Sequence, residues 1–237
     1  MHNNNEQDNK FLPAAVLVAG LFIGGAVLWN GSNPTAAPVG GAAPIPAAAP
    51  SAAADIRNVK TDGNPFIGQA NAPVTLAVWG DFQCPFCKRF EAETLPLIIR
   101  DYVEKGKVKI VFFDFAFLGP DSTTAGQYNH AIWKLYPAKY AEWRAAMYGA
   151  QDAEHSGFGN AASIDALNAT IQGIDAARVA ADVKANAGAY QALLDSDKAE
   201  AQKVGIGATP SFVVGKQMIA GAYPYENFKA AIDAALK

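Results

Sequence analysis

Cysteine is nearly absent from this chain: there are two in 237 residues, alongside three histidines. That count excludes a disulfide-stapled miniprotein. A surplus of cations is lacking as well. Nineteen Lys and Arg stand against 22 Asp and Glu, and the basic residues form no run longer than Lys88-Arg89, which argues against a nucleic-acid partner. Nor is the chain polar and low in complexity over most of its length. With 51% of its residues hydrophobic, it can bury enough surface to offset the entropy of ordering one sizeable domain.

The most local absence is of charge, since no side chain ionises from Phe11 through Ala54. Two kinds of sequence fill that gap. Residues 11–29 are apolar and, at ~1.5 Å per residue, would make a helix of about 28 Å, matching bilayer hydrocarbon. The rival is a cleaved signal peptide, whose apolar region is shorter, roughly 7–15 residues. A buried soluble helix fits poorly with Pro13, Gly20, Gly24 and Gly25. The expectation is a transmembrane anchor over 11–29 in contact with lipid. Lys10 and the terminal amine favour residues 1–10 on the cytoplasmic side and the rest of the chain outside. Residues 30–54 are rich in Ala and Pro, with prolines at 34, 38, 44, 46 and 50, and read as an extended linker.

The folded domain is expected over 55–237. Val74-Thr-Leu-Ala-Val-Trp79 is an apolar, β-rich run that reads as a strand buried on both faces. A turn then leads to Cys84-Pro-Phe-Cys87 and a helical pattern to about Lys105, with Pro85 in its first turn and Pro96 as a kink. Strand character resumes over 107–113, so the cysteines sit at a strand-to-helix junction of a β-α-β unit. From about 121 to 204 the pattern is helical, broken at Pro137, near Ser156-Gly157 and near Gly173. Trp133, Tyr136, Tyr140, Trp143 and Met147 form one apolar stripe, read as core. Residues 211–214 and 217–220 read as a hairpin, and Tyr225 to Leu236 as a closing helix.

A thiolate attacks disulfides and a thiol does not, so a redox cysteine needs its charge stabilised. At a helix N-terminus Cys84 meets unpaired N–H groups, with Lys88 and Arg89 one turn on, and Cys87 lies within disulfide reach. Cys84 is then the attacking sulfur and Cys87 the resolving one. Zinc would need about four ligands, and the histidines show no ligand spacing, so no metal is expected. A purely structural disulfide would close too short a loop to stabilise much.

The run Asp81-Phe-Gln-Cys-Pro-Phe-Cys-Lys88, followed by Gly205-Ile-Gly-Ala-Thr-Pro-Ser-Phe212, resembles the DsbA-like thiol-disulfide oxidoreductases. The similarity runs from about Asn64 to Lys237. It implies an α/β thioredoxin fold with an inserted α-helical subdomain at about 121–204, and a cis Pro210 against the cysteines. It also implies that the backbone of Thr209 binds an extended substrate peptide, that Pro85 and Phe86 tune the thiols, and that no cofactor is needed. Client polypeptides with free thiols and a membrane redox partner for recycling are the expected partners. Three departures stand out, one being Thr209 before the proline, a residue that isomerase and reductase relatives share and that leaves the direction of exchange open. Phe86 replaces the histidine of the most oxidising members, which implies a less extreme thiolate, and the family's buried acid falls on Val78. Proton transfer at Cys87 is then left to water or to Asp81, whose other role is that of a turn or cap residue. The expected function is oxidation of client cysteines to disulfides by a membrane-anchored extracytoplasmic enzyme, and it has three rivals: a reductase, an isomerase and a redox-silent anchored binding module. Of Phe82, Phe86, Phe90, Phe115 and Phe117, most are expected in the core and the rest in an apolar surface beside Cys84.

Overall fold

A computed structural model describes residues 54–154 and 156–237. The expected cytoplasmic segment 1–10, anchor 11–29 and nearly all of the linker 30–54 lie outside the described residues. No helix among the described residues is long and apolar enough to cross a membrane.

Five strands form one sheet in the order β1-β3-β2-β4-β5. They are β1 (Phe66–Ile67), β2 (Val74–Gly80), β3 (Val108–Asp114), β4 (Ser211–Val214) and β5 (Gln217–Ala220). The β2–β3 pair is parallel and the other three pairs are antiparallel. The strand β2 is central, and its alternation explains why its sequence is apolar throughout. Val74, Leu76 and Val78 face one core with Ile110, Phe112, Phe212 and Val214. Ala77 and Trp79 face the other with Val111, Phe113 and Val213. Both faces are covered, so neither tolerates a polar side chain. The two-residue β1 is too short to give a periodic signal, and the sequence reading passes over it.

The parallel pair needs a crossover, and the helical run of 85–103 supplies it. It comprises α1 (Pro85–Arg89) and α2 (Leu95–Ile98), with π-helical turns at Phe90–Thr94 and Ile99–Val103. Pro96 explains the first of these. It has no N–H and its ring crowds the preceding turn, and the wider π turn, in which the Leu95 N–H reaches the Phe90 carbonyl, accommodates it without ending the helix.

The inserted helices are α3 (Pro120–Leu135), α4 (Tyr140–Ala150), α5 (Ala161–Asn168), α6 (Ala176–Ala185) and α7 (Ala187–Lys203), and α8 (Tyr225–Ala235) closes the chain. The aromatic stripe is indeed core: Tyr140, Trp143 and Met147 are fully buried, and Trp133 and Tyr136 pack against the same cluster. Separating α6 from α7, Asn186 bonds back through its side chain to the Asp182 carbonyl, a local competition with helix that the alanine-rich context obscures in sequence.

A buried polar cluster ties the insertion to the sheet. Asp114 ends β3, Asn129 and His130 lie on α3, and Asp197 lies on α7. Asn129 donates to Asp114 at 2.8 Å, the Asp114 N–H donates to the Asp197 carboxyl at 2.8 Å, and His130 Nε2 stands 3.3 Å from Asp114. Burial, with Asp197 nearby, pushes the Asp114 carboxyl well up, and burial lifts Asp197 to about 7. The folded chain therefore binds more protons than the unfolded chain between the ordinary carboxyl range and neutrality. Stability falls as pH rises through that window, and the loss is complete above the folded values. His130 acts in the opposite sense below pH 6.5, because burial lowers it to about 4 and the folded chain there binds fewer protons. Above pH 6.5 only the carboxyl effect remains. Asp114→Asn is expected to raise the thermal midpoint by about 2–4 °C at pH 8 in chelator-treated protein, with a smaller gain at pH 5, as calorimetry at the two pH values would show.

Candidate active site

The carboxyl end of β2 leads through Asp81, Phe82 and Gln83 to Cys84, which is the N-cap residue of α1, with Pro85 in the first turn. Pro85 suits that place because the missing N–H has no helical partner there. Cys87 follows one turn later. No disulfide joins the two, and both are buried, at 5% and 3% exposed.

The peptide between Thr209 and Pro210 is cis and lies just before β4, whose Ser211 pairs with Trp79 of β2. That register sets the Thr209 carbonyl over the first cysteine, where it accepts from Cys84 Sγ at 3.5 Å. The Thr209 hydroxyl is buried without a hydrogen-bond partner, close enough to both sulfurs to lower their pKa.

The two thiols differ by their environment. A hydrogen bond from Cys87 lowers Cys84 to about 6 against the opposing effect of burial, with Thr209 and the backbone N–H groups of Cys87 and Phe86 adding to it. Burial is the leading cause for Cys87 and pushes it well above the ordinary thiol value, and the Cys84 thiolate beside it pushes the same way. Lys88 and Arg89, expected to add positive potential, are engaged elsewhere. The Lys88 ammonium donates to the Gln151 carbonyl at 2.6 Å and the Arg89 guanidinium to the Ala222 carbonyl at 2.7 Å. Neither is among the leading causes of the Cys84 shift.

Asp81 is 2% exposed, and its carboxylate is fully used. Oδ1 accepts from the Gln83 N–H and the Ser122 hydroxyl, and Oδ2 from the N–H groups of Phe117 and Leu118. This is the turn-holding role, and the geometry gives Asp81 no free oxygen for a proton on Cys87. Gln151, which the sequence reading misses, holds the other side: its amide donates to the carbonyls of Phe82 and Cys84. Gln83, also missed, donates to the Phe158 carbonyl at 2.8 Å. Isolated glutamines in a loop carry no spacing signal that would have found them.

Behind Cys87 lies a buried group that sequence reasoning also misses, consisting of Glu91, Arg144 and Tyr148. Arg144 Nε donates to Glu91 at 3.1 Å, and both side chains are nearly inaccessible. Some signal for it exists in the sequence. Glu91 is one helical turn beyond Cys87, and Arg144 interrupts the apolar stripe between Trp143 and Met147.

Of the five phenylalanines, Phe82, Phe90 and Phe115 are buried, whereas Phe86 is 55% and Phe117 48% exposed. The exposed Phe86 ring stands between the two cysteines in sequence, with the Arg89 guanidinium 5.2 Å from its centroid. Asp114, His130 and Asp197, on the insertion side of the sheet, are a group among the described residues with metal-ligand spacing, their ligand atoms lying within 4.8 Å of one another. Spacing in sequence gives no hint of it, because β3, α3 and α7 each contribute one residue.

The thioredoxin family model matches residues 60–234. The chain is similar to disulfide bond formation protein D of Bacillus subtilis, 29% identical over 175 residues, which covers 74% of this chain and 78% of that one. The probable disulfide bond formation protein D of Bacillus anthracis is 28% identical over 173 residues, covering 72% and 77%. Among solved structures, oxidised BdbD from Bacillus subtilis superposes with a TM-score of 0.69 at 27% identity, covering 75% of this chain and 95% of that one. The thiol-disulfide exchange protein α-DsbA2 of Wolbachia pipientis gives 0.65 at 23% identity over 76% and 90%, a likeness of fold.

Removing the Asp81 carboxylate strands four buried or part-buried donors at once. Asp81→Ala is expected to cost about 2–4 kcal/mol in urea unfolding, and Asp81→Asn, which keeps one acceptor oxygen, about half as much.

Proposed function

The chain belongs to the thioredoxin family and is a DsbA-like thiol-disulfide oxidoreductase, and from that premise we propose that it oxidises client thiols through Cys84 and Cys87 on the outer side of a membrane to which residues 11–29 tether it. A client thiolate attacks the Cys84 sulfur of the disulfide, the bond to Cys87 breaks, and Cys87 leaves with the electron pair and takes up a proton. A second client thiolate then attacks the client sulfur of the mixed disulfide, and Cys84 leaves as a thiolate. The client gains a disulfide and the enzyme is left as a dithiol. A membrane redox partner would accept those two electrons and restore the Cys84–Cys87 bond.

The observation that carries this reading is the asymmetry of the two thiols. A Cys84 held at about 6 is largely thiolate at neutral pH, which stabilises the dithiol form and makes the disulfide a ready donor. With Cys87 pushed upward, Cys84 is the sulfur of the reduced pair that carries charge at neutral pH. Phe86, in place of a histidine, sets no imidazolium beside Cys84, in keeping with a moderate potential. The Thr209 backbone beside Cys84 supports its role as the site where an extended client segment pairs, and exposed Phe86 and Phe117 support an apolar rim for unfolded chains.

Equilibration in graded glutathione buffers tests the direction. A reduction potential near or above about −180 mV is expected, whereas a value near about −270 mV would move the assignment to a reductase. Cys84→Ser should abolish oxidation of a dithiol peptide; Cys84-independent turnover, or none in the wild type, would leave the pair a staple in a binding module.

The Cys84 thiolate also fixes a pH profile. Alkylation of the reduced chain is expected to fall as pH drops through about 6, not through about 9, and in Cys87→Ala, which removes the hydrogen bond that Cys87 gives to Cys84, the midpoint should move upward. Since the folded value lies below the unfolded one, the thiolate's contribution to the reduced fold is complete above about pH 9 and is lost as pH falls through about 6.

A further inference from the structure

Gly80 closes β2 without needing the conformational freedom of glycine, for its φ is not positive. A strand glycine is otherwise unfavourable, so its want of a side chain calls for another reason. Space supplies it. A methyl group placed on Gly80 would stand 3.3 Å from Tyr148 Oη, 3.8 Å from Cys87 Sγ and 3.9 Å from Arg144 Nη2. A hydroxyl donor, a guanidinium and the inner sulfur thus converge on one point that Gly80 leaves open.

Each part of that group costs stability by ordinary rules. Arg144 is 4% exposed, with one carboxylate, Glu91, paired to it, and its guanidinium carbon lies 3.8 Å from the Phe112 ring centroid. A buried ion pair is in general no more stabilising than apolar residues of the same volume, so its presence needs a further account. Tyr148 donates to the Asp81 carbonyl across 3.5 Å, too long for a strong O–H···O bond. Its proton is therefore free to turn toward a better acceptor.

We infer that Tyr148 and Arg144 are positioning residues for the leaving sulfur, Tyr148 donating a hydrogen bond to Cys87 as it departs from Cys84 and Arg144 holding positive charge behind it. The inference rests on the oxidoreductase reading above. When a client thiolate attacks Cys84, the Cys84–Cys87 bond breaks and the electron pair goes to Cys87 inside the protein. The groups facing that sulfur are Cys84 itself, the Thr209 hydroxyl, the Asp81 backbone with its engaged carboxylate, and Tyr148 and Arg144 on α4, with Glu91 and Tyr140 around Arg144. Among these described side chains Arg144 is the cation, and the Tyr148 hydroxyl is the donor nearest the Gly80 opening. Thiol exchange is faster when the leaving sulfur is the better anion, so support for a transient Cys87 thiolate lowers the barrier. Afterwards Cys87 takes a proton, because burial holds its pKa high, and the finished dithiol gains little from the same support. The effect therefore falls on the rate and spares the equilibrium.

The full-length protein tests this in two measurements, the rate at which its disulfide oxidises a dithiol peptide and its equilibrium constant against glutathione, both at pH 7. Tyr148→Phe is expected to slow oxidation about tenfold, the loss of a hydrogen bond to a sulfur carrying part of a negative charge, and to leave the equilibrium constant within about twofold. Because Arg144→Gln alone would strand Glu91, the charge is removed with the pair Glu91→Gln and Arg144→Gln, which should slow the reaction similarly, while Arg144→Lys should recover most of the rate. Wild-type rates in both Tyr148→Phe and the double variant would overturn the inference. Rate and equilibrium changing together would overturn it as well, since that outcome marks a general change in disulfide stability. A wild-type chain that shows no Cys84-dependent exchange would instead defeat the underlying reading.

Discussion

Two sulfurs one helical turn apart have to hold opposite charge states, and most of the molecule around them follows from that constraint. Thiols so near each other cannot both ionise in a buried place, so the structure gives each a different environment. Cys84 stands at the N-cap, where a hydrogen bond from Cys87 lowers it and Thr209 and the backbone N–H groups of Cys87 and Phe86 add to that effect. Cys87 stands one turn further in, where the same helix offers no spare donor and burial dominates. The asymmetry comes from the hydrogen bond between the two sulfurs and the deeper burial of Cys87 more than from nearby cations, and Lys88 and Arg89 bond instead to the carbonyls of Gln151 and Ala222.

Depth is useful only if the helix start cannot drift. The preceding strand is the middle one of the sheet, hydrogen-bonded on both sides and covered on both faces, so Gly80 is a fixed point. From there three residues reach the N-cap, and Asp81 and Gln151 take up their backbone groups from opposite sides. The partner strand β4 brings the Thr209 carbonyl to Cys84 through the same register that pairs Ser211 with Trp79. A slip of one residue in that pairing would exchange the side chains of β4 between the two cores, so core packing and the placing of Thr209 are one requirement.

What the sequence made legible follows from how local each signal is. The strand at 74–79, the cysteines at a helix start and the hairpin at 211–220 are written in contiguous residues, and the Thr-Pro motif points to the neighbour of the cysteines. Asp81 is legible as a turn residue, yet its acceptance from the N–H groups of Phe117 and Leu118 is not, because those donors come from beyond β3. The same holds for Glu91, Arg144 and Tyr148, and for Asp114, His130 and Asp197: each group forms only when separate elements pack. Such clusters leave faint traces, a charge inside an apolar stripe or a glycine in a strand, that become meaningful once the packing is known. Helical spacing likewise places Lys88 and Arg89 one turn beyond the first cysteine and does not tell which distant carbonyl will engage them.

The inserted helices belong to the chemistry as much as to the fold. A lid that merely covered the sheet would contribute apolar side chains, as Trp143 and Met147 do. Instead the insertion also sends Ser122 to the turn, Gln151 to the helix start, and Arg144 with Tyr148 to the rear of Cys87. These contacts come from the middle and C-terminal end of α4 and from the first turn of α3, so the packed insertion helps hold the turn before Cys84. Folding of the insertion and assembly of the thiol pair are thus coupled through the same few hydrogen bonds. A chain that had not yet folded would carry two ordinary thiols, and the difference between them would arise only on completion of the domain.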